Sequence, residues 1–415
     1  MFNSISIGFF LVCGFLLSVG LFFSVSLSSC WSVLFVNNSY FVFDNISFYM
    51  ILLVVFLGFY SQFLFLNNLS ISSRIFLLLS MFFSVLCFCV NHSILFWCFY
   101  ELSMMPLLYL IFFESPYSER FLAAWYFACY MLVTSLPLIL ILIYLSLINS
   151  SFFFNLWCNN YSNLCVFILL SFVFFTKVPL FPFHTWLPLV HAEATSIVSI
   201  FLSGYIMKLG LLGVYRCCYF VFGGTMIYYL FICMLFSVGF LFTSVGELDG
   251  KRWLAFLSLG HIVVPFVWFF ISDWENVNIS FFYCLGHGLS AGLVFCLLWY
   301  FYDVCNSRNW LLLKSCVNSK IIMIFVIVSM LTLCSFPTTV QFFCEVNMVK
   351  MSVSLLMCLF YWAFYLFLGG VIPLVLCGSM LIRSEFFEEF NYSHYSFSYF
   401  VFFMCFWCYL SVFFI

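Results

Sequence analysis

Charge is what this 415-residue sequence most lacks: Asp, Glu, Lys and Arg make up 6% of it, against roughly 25% in an ordinary soluble domain. A soluble fold of this length needs far more charge to cover its surface, so a soluble globular protein is excluded. Disorder is excluded as well, because it requires the opposite composition. The 12 basic and 14 acidic residues nearly cancel, which leaves no positive field and makes nucleic acid an implausible partner. Period-two alternation is missing, and a β-barrel goes with it. There is no G-x-G-x-x-G, no P-loop and no set of three or four cysteines at iron–sulfur spacing, so no redox or nucleotide site is expected in the chain. Alanine occurs only eight times beside 65 Phe and 21 Cys, a bias that suggests a T-rich coding sequence and an organelle genome. No Arg-rich, Ser-rich transit segment precedes the first apolar run, so import from the cytosol is not expected.

What is present is apolar: 67% of the residues. At about 20 residues per span and roughly 10 per connection, the length accommodates about fourteen helices. Charged clusters (Glu114 to Arg120, Glu247 to Arg252, Asp303 to Lys320, Arg383 to Glu389) read as connections between uncharged runs. Helices are therefore expected near 46–66, 74–91, 93–113, 119–148, 163–184, 195–216, 226–246, 251–272, 276–302, 320–352, 354–382 and 396–415. Residues 4–43 form one long tilted helix or a hairpin, which gives 13 or 14 spans in a single domain over 1–415. The cysteines are scattered through apolar runs and read as small buried hydrophobes, not as a disulfide framework. The one C-x-x-C, Cys405 and Cys408, lies in an apolar stretch unsuited to redox or metal chemistry.

A few charges break this pattern by falling inside spans: Glu101, Lys177, Lys208 and Glu345. Each costs about 2.5–3.5 kcal/mol to insert at a helix centre. Glu101 lies roughly 12 Å from the helix start at Ser93, and Lys208 roughly 12 Å from Arg216. By the same measure His261 and His287 lie about 15–16 Å inside their helices. All fall near the middle of a core about 30 Å thick. Lys177 neighbours Pro179 and Glu345 follows Pro337. Proline removes a backbone donor, and in lipid the freed carbonyls must face protein or water, so two broken helices beside a polar cavity are expected.

Plainer readings stand beside these. Lys350 reads as an interfacial lysine that snorkels, and Glu114, Glu119 and Arg120 as a solvated loop. Glu101 and Lys208 can be a structural ion pair. His184 and His191 read as interface residues that cap a loop, Trp186 as an interface anchor, and His261 and His287 as satisfied core histidines.

The run from Lys177 through Pro179, Pro182, His184, Trp186, Pro188 and His191 to Glu193, with Met207-Lys208-Leu-Gly after it, resembles the antiporter-like subunits of respiratory complex I. Four further segments are similar: Tyr100-Glu101 to Pro106, Asp249 to His261, His287 to Ser290 with Asn306 to Arg308, and Phe336-Pro337 to Glu345. Thr195 stands where that family usually has proline, and Cys344 where it has glycine. The resemblance, which runs from about 44 to 382, implies two inverted five-helix repeats, about 74–216 and 226–382, each with one broken helix. Residues 4–43 and 396–415 would flank them. It implies proton translocation through Glu101, Lys177, Lys208, His261, His287 and Glu345, with Glu101–Lys177 as the coupling pair and Glu345 at the exit. NADH, FMN, iron–sulfur clusters and ubiquinone would bind other subunits, with no cofactor or metal in this chain. Partners would be the other membrane-arm subunits and lipids, cardiolipin among them, in the mitochondrial inner membrane. The alternatives are a subunit of a multi-subunit cation/proton antiporter and a non-transporting scaffold.

Overall fold

A computed structural model describes residues 40–59, 61–62, 65, 69–157, 164–224, 226–272, 277–317, 320–382 and 395–410. The expected helix or hairpin over 4–43 lies outside the described residues but for its last four. Apart from the single helical turn Trp310–Leu313 and short 3-10 and π segments, the described residues form fourteen helices or half-helices and no strand. In chain order they are α1 Asn45–Val54, α2 Ile71–Cys89, α3 Ser93–Glu114, α4 Arg120–Ile148, α5 Leu164–Lys177, α6 Trp186–Glu193 and α7 Ser196–Cys218. There follow α8 Ile227–Gly246, α9 Gly250–Ile271, α10 Asn278–Cys305, α11 Lys320–Leu333, α12 Val340–Ser352, α13 Leu356–Leu381 and α14 Tyr395–Leu410. Among the described residues, eight helices are long and apolar enough to cross a membrane. This is an all-α polytopic membrane protein.

Local chemistry sets where the helices start. Asp44 and Ser47 close a reciprocal capping box on α1, and Ser70, Asp249 and Thr339 accept backbone N–H bonds at the starts of α2, α9 and α12. Each satisfies a donor that the first helical turn leaves free. Pro106, Pro137, Pro265 and Pro373 lie inside helices that continue through them.

Burial sorts the helices into a centre and a rim. The most apolar stretches of α7 and α10 are buried throughout, whereas most of α2, α4, α8 and α13 faces outward. The rim exposes Phe82, Trp125, Leu140, Leu235 and Phe367. In lipid an apolar exterior carries no hydration penalty, so polar groups gather at the centre. Lys208, His261 and His287 ride on α7, α9 and α10 and are all nearly or fully buried.

Two spans are interrupted. Residues 178–185 leave the helix between α5 and α6, and 334–339 leave it between α11 and α12. In the second interruption Ser335 and Thr338 adopt φ of 51° and 98°, left-handed values that side chains rarely take. A third irregularity was not foreseen: the π-helical turn Leu202–Ile206 inside α7, just before Lys208. Glycine makes the close contacts around it. A Cβ on Gly210 would come within 2.4 Å of the Val178 side chain at the first break. One on Gly288 would meet the backbone oxygen of Gly204 at 3.1 Å, so α10 lies almost directly on α7. Near the end of α10, Cys305 is paired with Cys316; the other described cysteines are free.

Candidate functional site

Three stations of buried polar groups cross the centre of the bundle. The first lies at the α5 break. Lys177 is the last residue of α5, where the helix dipole favours a cation, and its Nζ sits 2.7 Å from Oε1 of Glu101 on α3. The lysine side chain is fully buried and the carboxylate 11% exposed. The Tyr100 ring supports the same ammonium at 4.3 Å from its centroid. Carbonyls freed by the break find donors nearby. With Pro179 unable to donate, Leu180 N–H bonds to the carbonyl of Phe175 (3.2 Å), and the Trp186 indole to that of Thr176 (3.2 Å). Trp186 is thus a buried staple between the halves of the broken helix, not an interface anchor, because its N–H is needed where the ladder stops.

Lys208 is the second station. It is completely buried, and its Nζ donates to the carbonyl of Ser203 in the π turn. The structural pairing weighed for it with Glu101 is not formed: Glu101 takes Lys177, and among the described residues no carboxylate forms an ion pair with Lys208. A buried amine without a counter-charge bears the whole desolvation cost of its own charge.

The third station joins α9, α10, α12 and α13. The rings of His261 and His287 lie 5.1 Å apart. His261 Nδ1 is bonded to the hydroxyls of Tyr283 (3.2 Å) and Tyr365, and these hydroxyls lie 2.9 Å from each other. Tyr365 donates onward to Oε1 of Glu345 at 3.3 Å. That oxygen also receives Ser335 Oγ (2.9 Å) and Gln341 Nε2 (3.4 Å). Glu345 is 2% exposed and has no cation at ion-pair distance among the described residues. Three neutral donors converge on one oxygen.

The six residues singled out in the sequence therefore fall into a pair, a lone lysine and a network. Both ring nitrogens of His287 and Nε2 of His261 have no hydrogen-bond partner among the described residues, whereas His261 Nδ1 is bonded on the side of Glu345. His191 was read as a loop cap at an interface; it is fully buried and stacks on Phe295 at 5.0 Å. His184, half-buried against Phe181 and Phe240, sits in the broken segment. Lys350 is exposed. Sequence reasoning missed Tyr100, Tyr283, Gln341, Ser335 and Tyr365. Two carried a signal: Gln341 and Tyr283 each stand four residues before a chosen residue, on the same helical face. Tyr365 comes from another helix and carried none. Among the described residues, no group of three or more His, Cys, Asp or Glu is placed to hold a metal ion.

Comparison with known proteins fits this layout. The family model for NADH:quinone oxidoreductase/Mrp antiporter, transmembrane, matches residues 90–372. NADH-ubiquinone oxidoreductase chain 4 of Rhipicephalus sanguineus is 29% identical over 290 residues, covering 68% of this chain and 66% of its own. That of Locusta migratoria is 32% identical over 227 residues, 54% of this chain and 51% of its own. The matches thus span about half to two thirds of these relatives. Among solved structures, a chain of respiratory complex I from Thermus thermophilus with bound NADH superposes with a TM-score of 0.75 at 18% identity, covering 90% of this chain and 82% of that one. A chain of the Mrp complex from Dietzia sp. DQ12-45-1b gives 0.71 at 15% identity, covering 82% and 66%. At these identities the structural likeness shows the fold alone.

Proposed function

We propose a function from one premise: the chain belongs to the NADH:quinone oxidoreductase/Mrp antiporter transmembrane family. Our reading is a proton-translocating membrane subunit of a respiratory NADH:ubiquinone oxidoreductase, multi-pass in the mitochondrial inner membrane. Its partners are the other membrane-arm subunits and surrounding lipid, cardiolipin included. The observation that carries it is the row of buried ionisable groups of mixed sign beside two broken helices, with Lys208 uncompensated at its centre.

In this reading Glu101 controls Lys177. While the carboxylate stays at ion-pair distance the ammonium is held; when it moves away, desolvation favours the amine and the proton leaves. Lys208 accepts it laterally, His261 and His287 carry it on, and Tyr365 links the histidine to Glu345, which releases it. Because neighbouring groups share protons, the pairs titrate as coupled systems. Electron transfer, with its NADH, FMN, iron–sulfur clusters and ubiquinone, falls to partner subunits. The two halves, about 74–216 and 226–382, act as inverted repeats with one break each, and 4–43 and 396–415 flank them.

A subunit of a cation/proton antiporter is the second reading, favoured by the matching family, which takes in Mrp antiporters as well. Co-purification separates the two: flavin and iron–sulfur subunits should accompany this chain. The direct test is Lys208→Ala in the intact complex, reconstituted in vesicles. NADH oxidation and assembly should persist while the proton-to-electron ratio falls. An unchanged ratio in the assembled variant would overturn the proton-carrying role.

A further inference from the structure

One end of the bundle, where α2 begins and α3 and α10 end, holds a cavity of about 400 Å³. Three helix ends meet there, so it lies at the depth where hydrocarbon gives way to headgroups and water. Trp299 and Tyr302 wall it, Glu114 and Asp303 give it charge, and Thr195 and Ser196 bring hydroxyls. Among the described residues, no lysine, arginine or histidine lines it. An aromatic belt at the membrane surface accounts for the rings, but not for the carboxylates.

Two cations touch Tyr117 in the same wall, and both are committed elsewhere. Lys251 donates to the carbonyl of Ala194 (2.8 Å), and Arg308 sits between Glu193 (3.6 Å) and Asp249 (3.4 Å). Their charges offset those two carboxylates. Glu114 and Asp303 are left over: neither forms an ion pair among the described residues. Glu114 takes hydroxyl bonds instead, from Ser70 at 2.6 Å and Ser72 at 3.0 Å. The hydroxyls of the wall are open as well. Ser196 is 6% exposed, lines the cavity and makes no side-chain hydrogen bond among the described residues. Oγ1 of Thr195 is buried without a partner among them. A wall that served packing alone would have its polar atoms paired.

Two uncompensated carboxylates, open hydroxyls and aromatic faces call for a cation. A metal ion fits poorly. Calcium takes about six to eight oxygens in close contact, and among the described residues no group of three or more His, Cys, Asp or Glu is placed to hold a metal. The volume and the rings suit an organic ammonium instead. A primary ammonium brings three N–H donors to the carboxylates and the Ser196 hydroxyl, whereas a trimethylammonium brings none. An anionic headgroup would meet the carboxylates with like charge. The surroundings favour a lipid as the source of the amine. On α2, Ile71, Ile75, Leu78 and Phe82 are all exposed. Their spacing of four, three and four residues makes one apolar stripe, which starts beside Ser70 and Ser73 in the cavity wall and leads into the hydrocarbon.

We propose that this cavity binds the primary ammonium headgroup of a zwitterionic phospholipid, phosphatidylethanolamine, with an acyl chain laid along the α2 stripe. The carboxylates of Glu114 and Asp303 and the Ser196 hydroxyl accept from the ammonium, and Trp299 and Tyr302 face it. The site stands apart from the relay and does not rest on the proton-carrying reading.

The test uses the intact complex, stripped of lipid and incubated with vesicles of phosphatidylcholine. The vesicles carry a trace of phosphatidylethanolamine or, in parallel, of phosphatidylcholine, each with the same photoreactive acyl chain and an unmodified headgroup. After irradiation, adducts are mapped by mass spectrometry. On α2 between Ile71 and Phe82 the ethanolamine probe should exceed the choline probe about tenfold, the scale of one charged hydrogen bond; on the α4 rim around Leu140 the two should be equal. Unlabelled phosphatidylethanolamine should displace the α2 adduct, and cardiolipin should not. Glu114→Gln with Asp303→Asn keeps the shape, removes both charges and should abolish the preference. If that variant fails to assemble, the wild-type competition decides. Equal labelling of α2 by both probes, or equal displacement by cardiolipin, would overturn the proposal. So would retention of radiolabelled ethanolamine by the stripped complex with no α2 adduct above the rim level, which would make a free amine the ligand.

Discussion

The two broken helices solve one physical problem in opposite ways. At the first, a buried cation closes α5 and is neutralised by a carboxylate 2.7 Å away. At the second, a buried carboxyl group follows the break and meets only neutral donors: Ser335, Gln341 and Tyr365. A buried ion pair is held by Coulomb attraction and is damaged most when one partner goes. A carboxyl group among hydroxyls can lose its charge and keep its contacts, because those partners can also accept. The comparison teaches that the first break holds a charge and the second can afford to lose one. The backbones differ in kind as well. The second break passes through two left-handed residues, Ser335 and Thr338, whereas the described residues of the first include none.

The largest expected effect breaks the pair. Lys177→Met leaves Glu101 buried and alone, a change that costs roughly 3–5 kcal/mol in comparable pairs. Both assembly and the proton-to-electron ratio should fall steeply. Adding Glu101→Gln removes the orphan charge and should restore assembly, measured by the level of intact complex and its thermal midpoint, while pumping stays lost. If the double variant pumps normally, the pair is structural glue and the contrast between the breaks collapses.

Glu345→Gln probes the other side. The amide oxygen can still accept from Tyr365 and Ser335, so stability should change by only about 1 kcal/mol, the scale of one neutral hydrogen bond. The proton-to-electron ratio should nevertheless drop, because an amide carries no proton. A loss of stability as large as that of Lys177→Met would show that Glu345 is held as a charge after all. Tyr365→Phe should be milder in pumping, though not in stability. It removes the hydroxyl that joins His261, Tyr283 and Glu345, at a cost of about 1–3 kcal/mol for the groups left unpaired. Gln341 still touches both Tyr283 and Glu345, so the ratio should fall only partway. Complete loss would make Tyr365 an obligatory link.

How much of this was readable follows from what each feature depends on. Span positions were legible because hydropathy and charge act locally, and in lipid they have little competition. The charges inside spans were legible for the same reason, since each stands out against an apolar background. Both breaks carried proline as a signal, at Pro179 and Pro337. The π turn at Leu202–Ile206 carried none: its residues read as an ordinary apolar helix. Partnerships were only half legible. Glu101–Lys177 was implied by the family resemblance, but the hydroxyls around Glu345 come from separate segments and meet it only once these pack. His191 was misjudged because its neighbours in sequence read as a loop, whereas Phe295 buries it from α10.

The smallest effect separates a ring from its hydroxyl at the first break. Tyr100 presents its face to the Lys177 ammonium at 4.3 Å, while its own hydroxyl is buried with no hydrogen-bond partner among the described residues. A desolvated cation–π contact is worth about 1–2 kcal/mol, and the hydroxyl contributes nothing to it. Tyr100→Phe should therefore be neutral in thermal midpoint and in proton-to-electron ratio. Tyr100→Leu should lower stability by about 1 kcal/mol and leave pumping close to normal, since Glu101 remains in place. At the second break the order reverses, because there the hydroxyl of Tyr365 makes the contacts. Should Tyr100→Phe depress the ratio as Tyr365→Phe does, hydroxyl transfer would operate at both breaks. The first would then be more than an ion pair: a relay through hydroxyls like the second.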